Sequence, residues 1–215
     1  MSEKILVVPN TAAIKDNTNF QGFRSNSNTK LWTLFATEGL FLERDMVEYD
    51  PRYRQLIVYL VLRHKQDVFI YQRIKATGEK RLLEMYSFGL GGHINEMRGG
   101  FSRLPQLDNQ VHTNSFTRLI TSNLKRELKE EVTFSGPFSY RFLGILNDQE
   151  TEVGMYHIGL VFRVSCLSPQ ITVREKNKIR GRLVPVFQLQ DNQDKLENWS
   201  NILLPYIPEL MVVGR

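Results

Sequence analysis

The segment Gln55 to Arg63 (QLIVYLVLR) is apolar over almost its whole length and rich in β-branched and aromatic residues. That pattern predicts a strand buried on both faces. Asp67 to Arg73 (DVFIYQR) predicts a second strand, and the short turn His64-Lys65-Gln66 makes the two a hairpin. Upstream, Ile5 to Val8 reads as a short buried strand stopped by Pro9. Asn10 to Asn28 is polar with little periodicity, so a long loop is expected, with one ordered turn at Phe20-Gln21-Gly22-Phe23. Lys30 to Phe41 places Leu31, Trp32, Leu34, Phe35 and Leu40 as a short amphipathic helix would, closed near Gly39.

Downstream of the hairpin, Leu82 to Ile94 is strand-like, with Gly89, Gly91 and Gly92 near its end. Glycines there indicate close approach of backbone or ligand. Asn95 to Thr113 reads as an inserted polar loop. Asn114 to Val132 predicts the best helix of the chain, with Phe116, Leu119, Ile120, Leu124 and Leu128 on one stripe and Asn114 or Ser115 as its cap. Arg141 to Asn147, Met155 to Val164 and Arg182 to Leu189 predict strands. Lys195 to Leu210 predicts a helix in two pieces, broken by Pro205 and Pro208. With no repeat, low-complexity tract or clear linker, strands around one strong helix predict a single mixed α/β domain with an N-terminal extension.

Composition changes this picture little. The chain has 215 residues, 41% hydrophobic and 24% charged, enough for a full core and unlike a disordered chain. A net charge of +5 favours phosphate-rich partners, but the basic residues are scattered, which argues against nucleic acid as the main partner. The lone Cys166 cannot form an internal disulfide, and on a strand it reads as a small buried hydrophobe rather than a nucleophile. One cysteine and four scattered histidines give no zinc site. The apolar run after Met1 is too short for a secretory core, and no run approaches the roughly 18–20 residues of a membrane span. A cytoplasmic protein without a membrane partner is expected.

The candidate chemistry lies in Leu124-Lys125-Arg126-Glu127-Leu128-Lys129-Glu130-Glu131-Val132. Helical spacing puts Glu127, Glu130 and Glu131 on one face, where each like-charge pair costs roughly 0.2–0.5 kcal/mol. They fall in the last turns, where the helix dipole also disfavours anions. A hard cation such as Mg²⁺ would relieve both penalties. Arg126, four residues before Glu130, can hold that carboxylate. The other reading is a solvated charged face, softened by Lys125 and Lys129.

Arg126-Glu127-Leu128-Lys129-Glu130-Glu131 resembles the R-E-U-x-E-E half of the Nudix box, G-x5-E-x7-R-E-U-x-E-E-x-G-U, where U is apolar. Gly91-Gly92-His93 looks like its opening glycine pair. Thr133 stands where the box has glycine, Arg98 where its first Glu would fall, and the interval Gly92 to Arg126 is about 20 residues longer than usual. The insertion Asn95 to Thr113 therefore splits the motif. A subgroup of Nudix proteins described as predicted phosphoesterases has such a split box. Its motifs resemble Ser87 to Asn95, Asn147-Asp148 with Glu152-Val153-Gly154 and His157-Ile158-Gly159, Leu6 to Pro9, and Tyr71-Gln72-Arg73 with Glu79 to Leu82.

The resemblance implies a Nudix-type α/β/α sandwich around a mixed β-sheet, with residues 1–50 as an extension packed on the core and 51–215 as the Nudix domain. It implies hydrolysis of a phosphoanhydride (pyrophosphate) bond in a nucleoside diphosphate derivative or a related small phosphorylated molecule, with Mg²⁺ or Mn²⁺ as cofactor. Glu127, Glu130 and Glu131 would be metal ligands, Glu127 and Glu131 catalytic, and Arg126 the orienting partner. For the general base, Glu152 is favoured over Glu150, although a loop carboxylate can also simply fix a turn. His157 would suit proton transfer near neutrality, or be a strand histidine bonded to a neighbour. Gly91, Gly92, His93, Arg73 and Arg81 are candidate substrate contacts. Arg73, Lys80 and Arg81 can also be plain hairpin surface charge.

The competing function is a catalytically silent Nudix-fold module that binds a nucleotide or regulates a partner. A third, decapping-like hydrolysis of an RNA 5′ end, needs a basic groove that the sequence does not show. Tyr86, Phe88 and Tyr156 are candidates for stacking on a base, or core residues. The extension can pack on its own domain or on a partner subunit, which leaves a homodimer open.

Overall fold

Buried β-branched residues fix the centre of the fold. In a computed structural model, residues 3–25, 29–74, 83–96 and 109–210 are described. The apolar run is strand β4 (Tyr53–His64), buried at every position between its two ends. Strand β5 (Asp67–Arg73) returns beside it, pairing Arg63 with Val68 and His64 with Asp67. Lys65 takes the left-handed φ of 52° that this tight turn demands.

The elements before the hairpin are β1 (Lys4–Pro9), α1 (Ala12–Thr18), β2 (Gly22–Ser25), α2 (Thr29–Glu38), β3 (Leu40–Glu43) and α3 (Arg44–Val47). After it come β6 (Tyr86–Ser87), β7 (Gly89–His93), the long helix α4 (Asn109–Glu131), β8 (Val132–Phe134), β9 (Phe138–Asn147), β10 (His157–Cys166), β11 (Ile171–Val173), β12 (Ile179–Pro185), α5 (Asn198–Leu203) and α6 (Ile207–Leu210). The fold is mixed α/β. One ten-stranded sheet follows the path β12-β5-β4-β10-β9-β2, with β1, β3, β6 and β7 joined to it off that path, and β8 and β11 form a separate pair.

The chain divides into two compact units, and β4, β7, α4, β9 and β10 each contribute to both. The first comprises Met1–Val58, Gly92–Lys125 and Gly144–Leu160. Here β1 pairs with both β3 and β4, over a cluster of Ile5, Val7 and Val47 flanked by Leu40, Leu42 and Tyr53. Asn123 of α4 pins the chain after β7: its Oδ1 accepts from Asn95 N–H at 2.9 Å and its Nδ2 donates to Asn95 O at 3.0 Å. Trp32 of α2 meets Phe116 of α4 edge to face at 4.9 Å.

The second unit comprises Tyr59–Gly91, Arg126–Leu143 and Val161–Arg215. Here β12 pairs with β5 over its whole length, and β6 pairs with the end of β5. Its interior holds a polar knot. Tyr59 Oη donates to Glu197 at 2.8 Å and lies 2.9 Å from Ser200 Oγ, and Ser87 Oγ lies 3.2 Å from Glu197 Oε1. Glu197 also caps α5, accepting from Trp199 and Ser200 N–H at 2.8 Å each. The carbonyl of Gly89 accepts from Tyr71 Oη at 3.0 Å and Ser87 Oγ at 2.9 Å. Burial pushes both phenols upward, with the nearby Glu197 charge adding to it.

Several elements differ from the sequence expectation. The stretch Asn10 to Asn28 holds α1, capped by Thr11, which accepts from Ile14 N–H at 3.4 Å, rather than a plain loop. Ile14 and Thr18 are its buried residues in view, too few to give the sequence a helical stripe. Helix α4 starts at Asn109, so Asn114 and Ser115 lie inside it instead of capping it, and Val132 already belongs to β8. Gly154–Tyr156 forms a 3-10 turn, and β10 starts only at His157. β12 ends at Pro185, beyond which Val186–Lys195 is 3-10 helix rather than strand.

A Cβ added at Gly89 would stand 1.9 Å from Cε1 of the fully buried Tyr59. Gly89→Ala is expected to lower unfolding stability by at least about 1–3 kcal/mol through overpacking, read as a lower urea midpoint at unchanged slope.

Candidate functional site

The last turns of α4 bury Leu124 and Leu128, which sets the directions of the charged residues between and beyond them. Glu127 is 5% exposed, Glu130 is exposed, and Glu131 is half-buried. Arg126 Nη1 donates to Glu130 Oε2 at 2.6 Å and stands 3.7 Å from Glu127 Oε2. One guanidinium therefore serves two of the three carboxylates, and each would repel the other without it.

Glu131 has a different surrounding. Burial pushes its carboxyl above the ordinary carboxylate value, Arg73 opposes that, Glu175 and Glu130 add to it, and Lys178 opposes it. The turn between β11 and β12 is bonded directly to the helix end: Arg174 N–H donates to Glu131 O at 2.9 Å and Arg174 Nε to Val132 O at 3.3 Å. At the far side of that turn Lys178 Nζ donates to Glu175 Oε1 at 2.6 Å. Arg73 ends β5 opposite Ile179.

The first unit holds a second polar group. Gln55 Nε2 donates to the carbonyls of Val47 (3.2 Å) and Glu48 (3.4 Å), so its Oε1 accepts from His93 Nε2–H at 2.7 Å. His157 Nδ1–H donates to Val153 O at 2.6 Å, which leaves Nε2 as the basic nitrogen of the neutral ring. The two imidazoles lie 5.7 Å apart. Burial lowers the His157 pKa, partly opposed by that carbonyl and by Glu48, while Arg54 and Arg44 lower it further.

Arg54 beneath them is 6% exposed and donates to Asn147 Oδ1 at 2.5 Å and His157 O at 2.7 Å. Burial pulls its pKa down to about 10, against the Asp148 charge, so it stays protonated at neutral pH. Asp148 is fully buried and organises the following loop. It accepts from Gln21 Nε2 at 3.3 Å, from the N–H groups of Glu150 (3.0 Å) and Thr151 (3.3 Å), and from the Thr151 hydroxyl. A Cβ on Gly154 would stand 2.3 Å from Asp148 Oδ2, so glycine there lets the loop close on the carboxylate. That loop carries Glu150 and Glu152, both exposed.

Of the candidate residues, Glu127, Glu130, Glu131, Arg126 and Arg73 thus fall in one unit, together with Gly91, which is exposed. Gly92, His93 and Glu152 fall in the other. Lys80, Arg81 and Arg98 lie outside the described residues. Thr133 lies on β8 opposite Thr172, with no left-handed φ, so the position makes no demand that glycine alone meets. Phe88 is a core residue at 1% exposure, whereas Tyr156 is half-buried edge-on against Tyr49 at 6.0 Å. Cys166 is buried, and burial pushes its thiol up to about 11, the behaviour of an inert hydrophobe. Sequence reading missed Arg54, Glu175 and Lys178. Asn147-Asp148 and Gly154 stood out only as part of a motif, and their bonding gives that motif its physical reason.

Among the described residues, no three His, Cys, Asp or Glu side chains stand together as metal ligands, and no helix is long and apolar enough to cross a membrane. The end of α4 nevertheless fits a hard divalent cation in donor chemistry. It offers carboxylate oxygens, one on the buried Glu127 and one on Glu131, whose desolvated carboxyl is crowded by Glu130 and Glu175.

No model of a known protein family matches the chain. Protein YmaB of Bacillus subtilis (strain 168) is 33% identical over 213 residues, 95% of this chain and 97% of that protein. The solved structure of Tm1382, described as a candidate Nudix hydrolase, superposes with a TM-score of 0.71 at 27% identity, covering 97% of this chain and all (100%) of that one. The NUDIX domain of Shewanella oneidensis NrtR, solved with ADP ribose, shares the fold at a TM-score of 0.51 and 13% identity, covering 74% of this chain and 89% of that one.

The surroundings of His157 give a pH signature. Its titration followed by NMR is expected to have a midpoint below the ordinary imidazole value of 6.5. Because the folded state resists this proton, its contribution to stability is complete above that value and is lost as pH falls toward the folded midpoint. His157→Gln is expected to remove that part of the acid-side loss in urea unfolding measured across the same window.

Proposed function

The chain belongs to the Nudix family, and from that premise we propose that it is a metal-dependent hydrolase cutting the pyrophosphate bond of a nucleoside diphosphate derivative. The observation that carries this reading is the end of α4, where Arg126 holds Glu130 and Glu127 together and Glu131 stands half-buried beside them. Such a crowd of carboxylates is costly unless a cation completes it.

Glu127, Glu130 and Glu131 would hold Mg²⁺ or Mn²⁺, which supplies charge neutralisation for the phosphoryl group. Arg126 orients Glu130 through the 2.6 Å bond. Arg73, whose charge falls on Glu131, binds a substrate phosphate, and Arg81 is proposed for the same task. By its place in the split-box motif, the exposed Glu152 is proposed as general base, on a loop whose shape Asp148 fixes. Gly91, Gly92 and His93 are proposed as substrate contacts by their place in the motif's glycine segment. NrtR's bound ADP ribose makes nucleoside diphosphate derivatives the first substrates to try.

A catalytically silent nucleotide-binding module is the second reading. The observation favouring it is the Arg126–Glu130 pair, which occupies one carboxylate, together with the lack of a three-residue ligand group among the described residues.

The test is release of phosphate or nucleoside phosphate from nucleotide sugars, dinucleoside polyphosphates and nucleoside triphosphates with Mg²⁺ or Mn²⁺. Turnover that needs the metal and falls about a hundredfold in Glu131→Gln is the expected result, the scale of losing one key transition-state contact. Nucleotide binding without turnover, indifferent to Glu131→Gln, would replace the hydrolase with the silent module.

A further inference from the structure

The turn joining β11 and β12 is built as an appendage of the acidic helix end. One side of it is fixed by Arg174, whose N–H and Nε bond the carbonyls of Glu131 and Val132. The other side is fixed to β5, because Lys178 O accepts from Ile74 N–H at 2.8 Å, one residue beyond Arg73. Inside the turn, Glu175 O accepts from Lys178 N–H at 2.8 Å and from Ile179 N–H at 3.0 Å. The backbone around Lys178 is therefore held at both ends and across its middle.

The side chain it carries is less committed. Lys178 Nζ is bonded to Glu175 at 2.6 Å, but the two side chains keep 31% and 52% of their surface exposed. An ion pair so placed contributes little to stability and exchanges readily. The positive charge nevertheless reaches Glu131, as the charge of Arg73 does. Two cations thus stand next to each other at the turn bonded to the helix end: Arg73 ends β5 opposite Ile179, and Lys178 directly precedes Ile179.

We propose that Lys178 is a substrate-binding residue: it leaves Glu175 when substrate arrives and, with Arg73, grips the diphosphate group. A diphosphate offers more negative charge and more acceptor oxygens than one carboxylate, so it outcompetes Glu175 for the ammonium. Glu175 is then a positioning residue that stores the lysine and, by competing, sets the strength of the grip. The inference rests on the hydrolase reading only in taking the ligand to be a diphosphate.

The experiment is calorimetric binding of methylenediphosphonate, a diphosphate that cannot be hydrolysed, to the full chain with Mg²⁺. Lys178→Ala should weaken binding about tenfold and Lys178→Arg should restore most of it, while Glu175→Gln should tighten it severalfold. Unfolding midpoints should stay nearly unchanged, since Glu175 is exposed, Lys178 is only half-buried and their pair is weak. On any substrate that turns over, Lys178→Ala should raise KM more than it lowers kcat. Unchanged affinity in Lys178→Ala, or no binding by the unaltered chain, overturns the proposal even if turnover is found. Lysine-dependent binding without turnover on any substrate upholds it and overturns the hydrolase reading instead.

Discussion

The negative end of α4 is the constraint on which this site depends. A helix C-terminus already presents unbonded carbonyls and a negative dipole. Here it must also bear Glu127, Glu130 and Glu131. The chain meets this in three ways. Arg126 spans two of the carboxylates. Arg174 donates to the terminal carbonyls of Glu131 and Val132 in place of water. Arg73 at the end of β5 and Lys178 on the turn before β12 bring positive charge that favours the ionised Glu131. The short β8–β11 pair, otherwise a minor feature, is what keeps Arg174 at its post.

Much of the frame was legible in the sequence because its signals are local. The run through β4 announces burial on both faces, and Phe116, Leu119, Ile120, Leu124 and Leu128 announce one face of α4. The spacing of Glu127 and Glu130 was legible for the same reason, since three-residue spacing fixes a helix face without knowledge of the fold, and Arg126 does span these two. What could not be read depends on partners distant in sequence. Helix α1 shows Ile14 and Thr18 as buried residues and owes its start to a hydroxyl cap. The first turns of α4 are polar, so they pass for loop. Lys178 looks like any surface lysine until the hydrogen bonds of Arg174 and Ile74 show where its turn is fastened.

In the first unit, buried polar groups do what apolar packing does elsewhere. Asn147 is fully satisfied: its Oδ1 accepts from Arg54, and its Nδ2 donates to the carbonyls of Thr18 and Phe20 at 2.7 Å each. Asp148, one residue on, holds the next loop and reaches back to Gln21. Two consecutive side chains therefore tie the N-terminal segment, the end of β9 and the loop bearing Glu152 into one hydrogen-bonded body. Removing one member would strand the others in a dry interior, where an unmet donor or acceptor costs more than the bond itself was worth.

The contact between Gly89 and Tyr59 also bears on how such a chain can vary over generations. The tyrosine ring fills the space that any side chain at position 89 would need, and its hydroxyl is held by Glu197. Neither position can change first without penalty: a larger residue at 89 collides with the ring, and a smaller one at 59 opens a void and deprives Glu197 of a donor. Relatives that have left this arrangement should have altered 59, 89 and 197 together, so these three positions should drift as a block while the exposed residues around them drift singly.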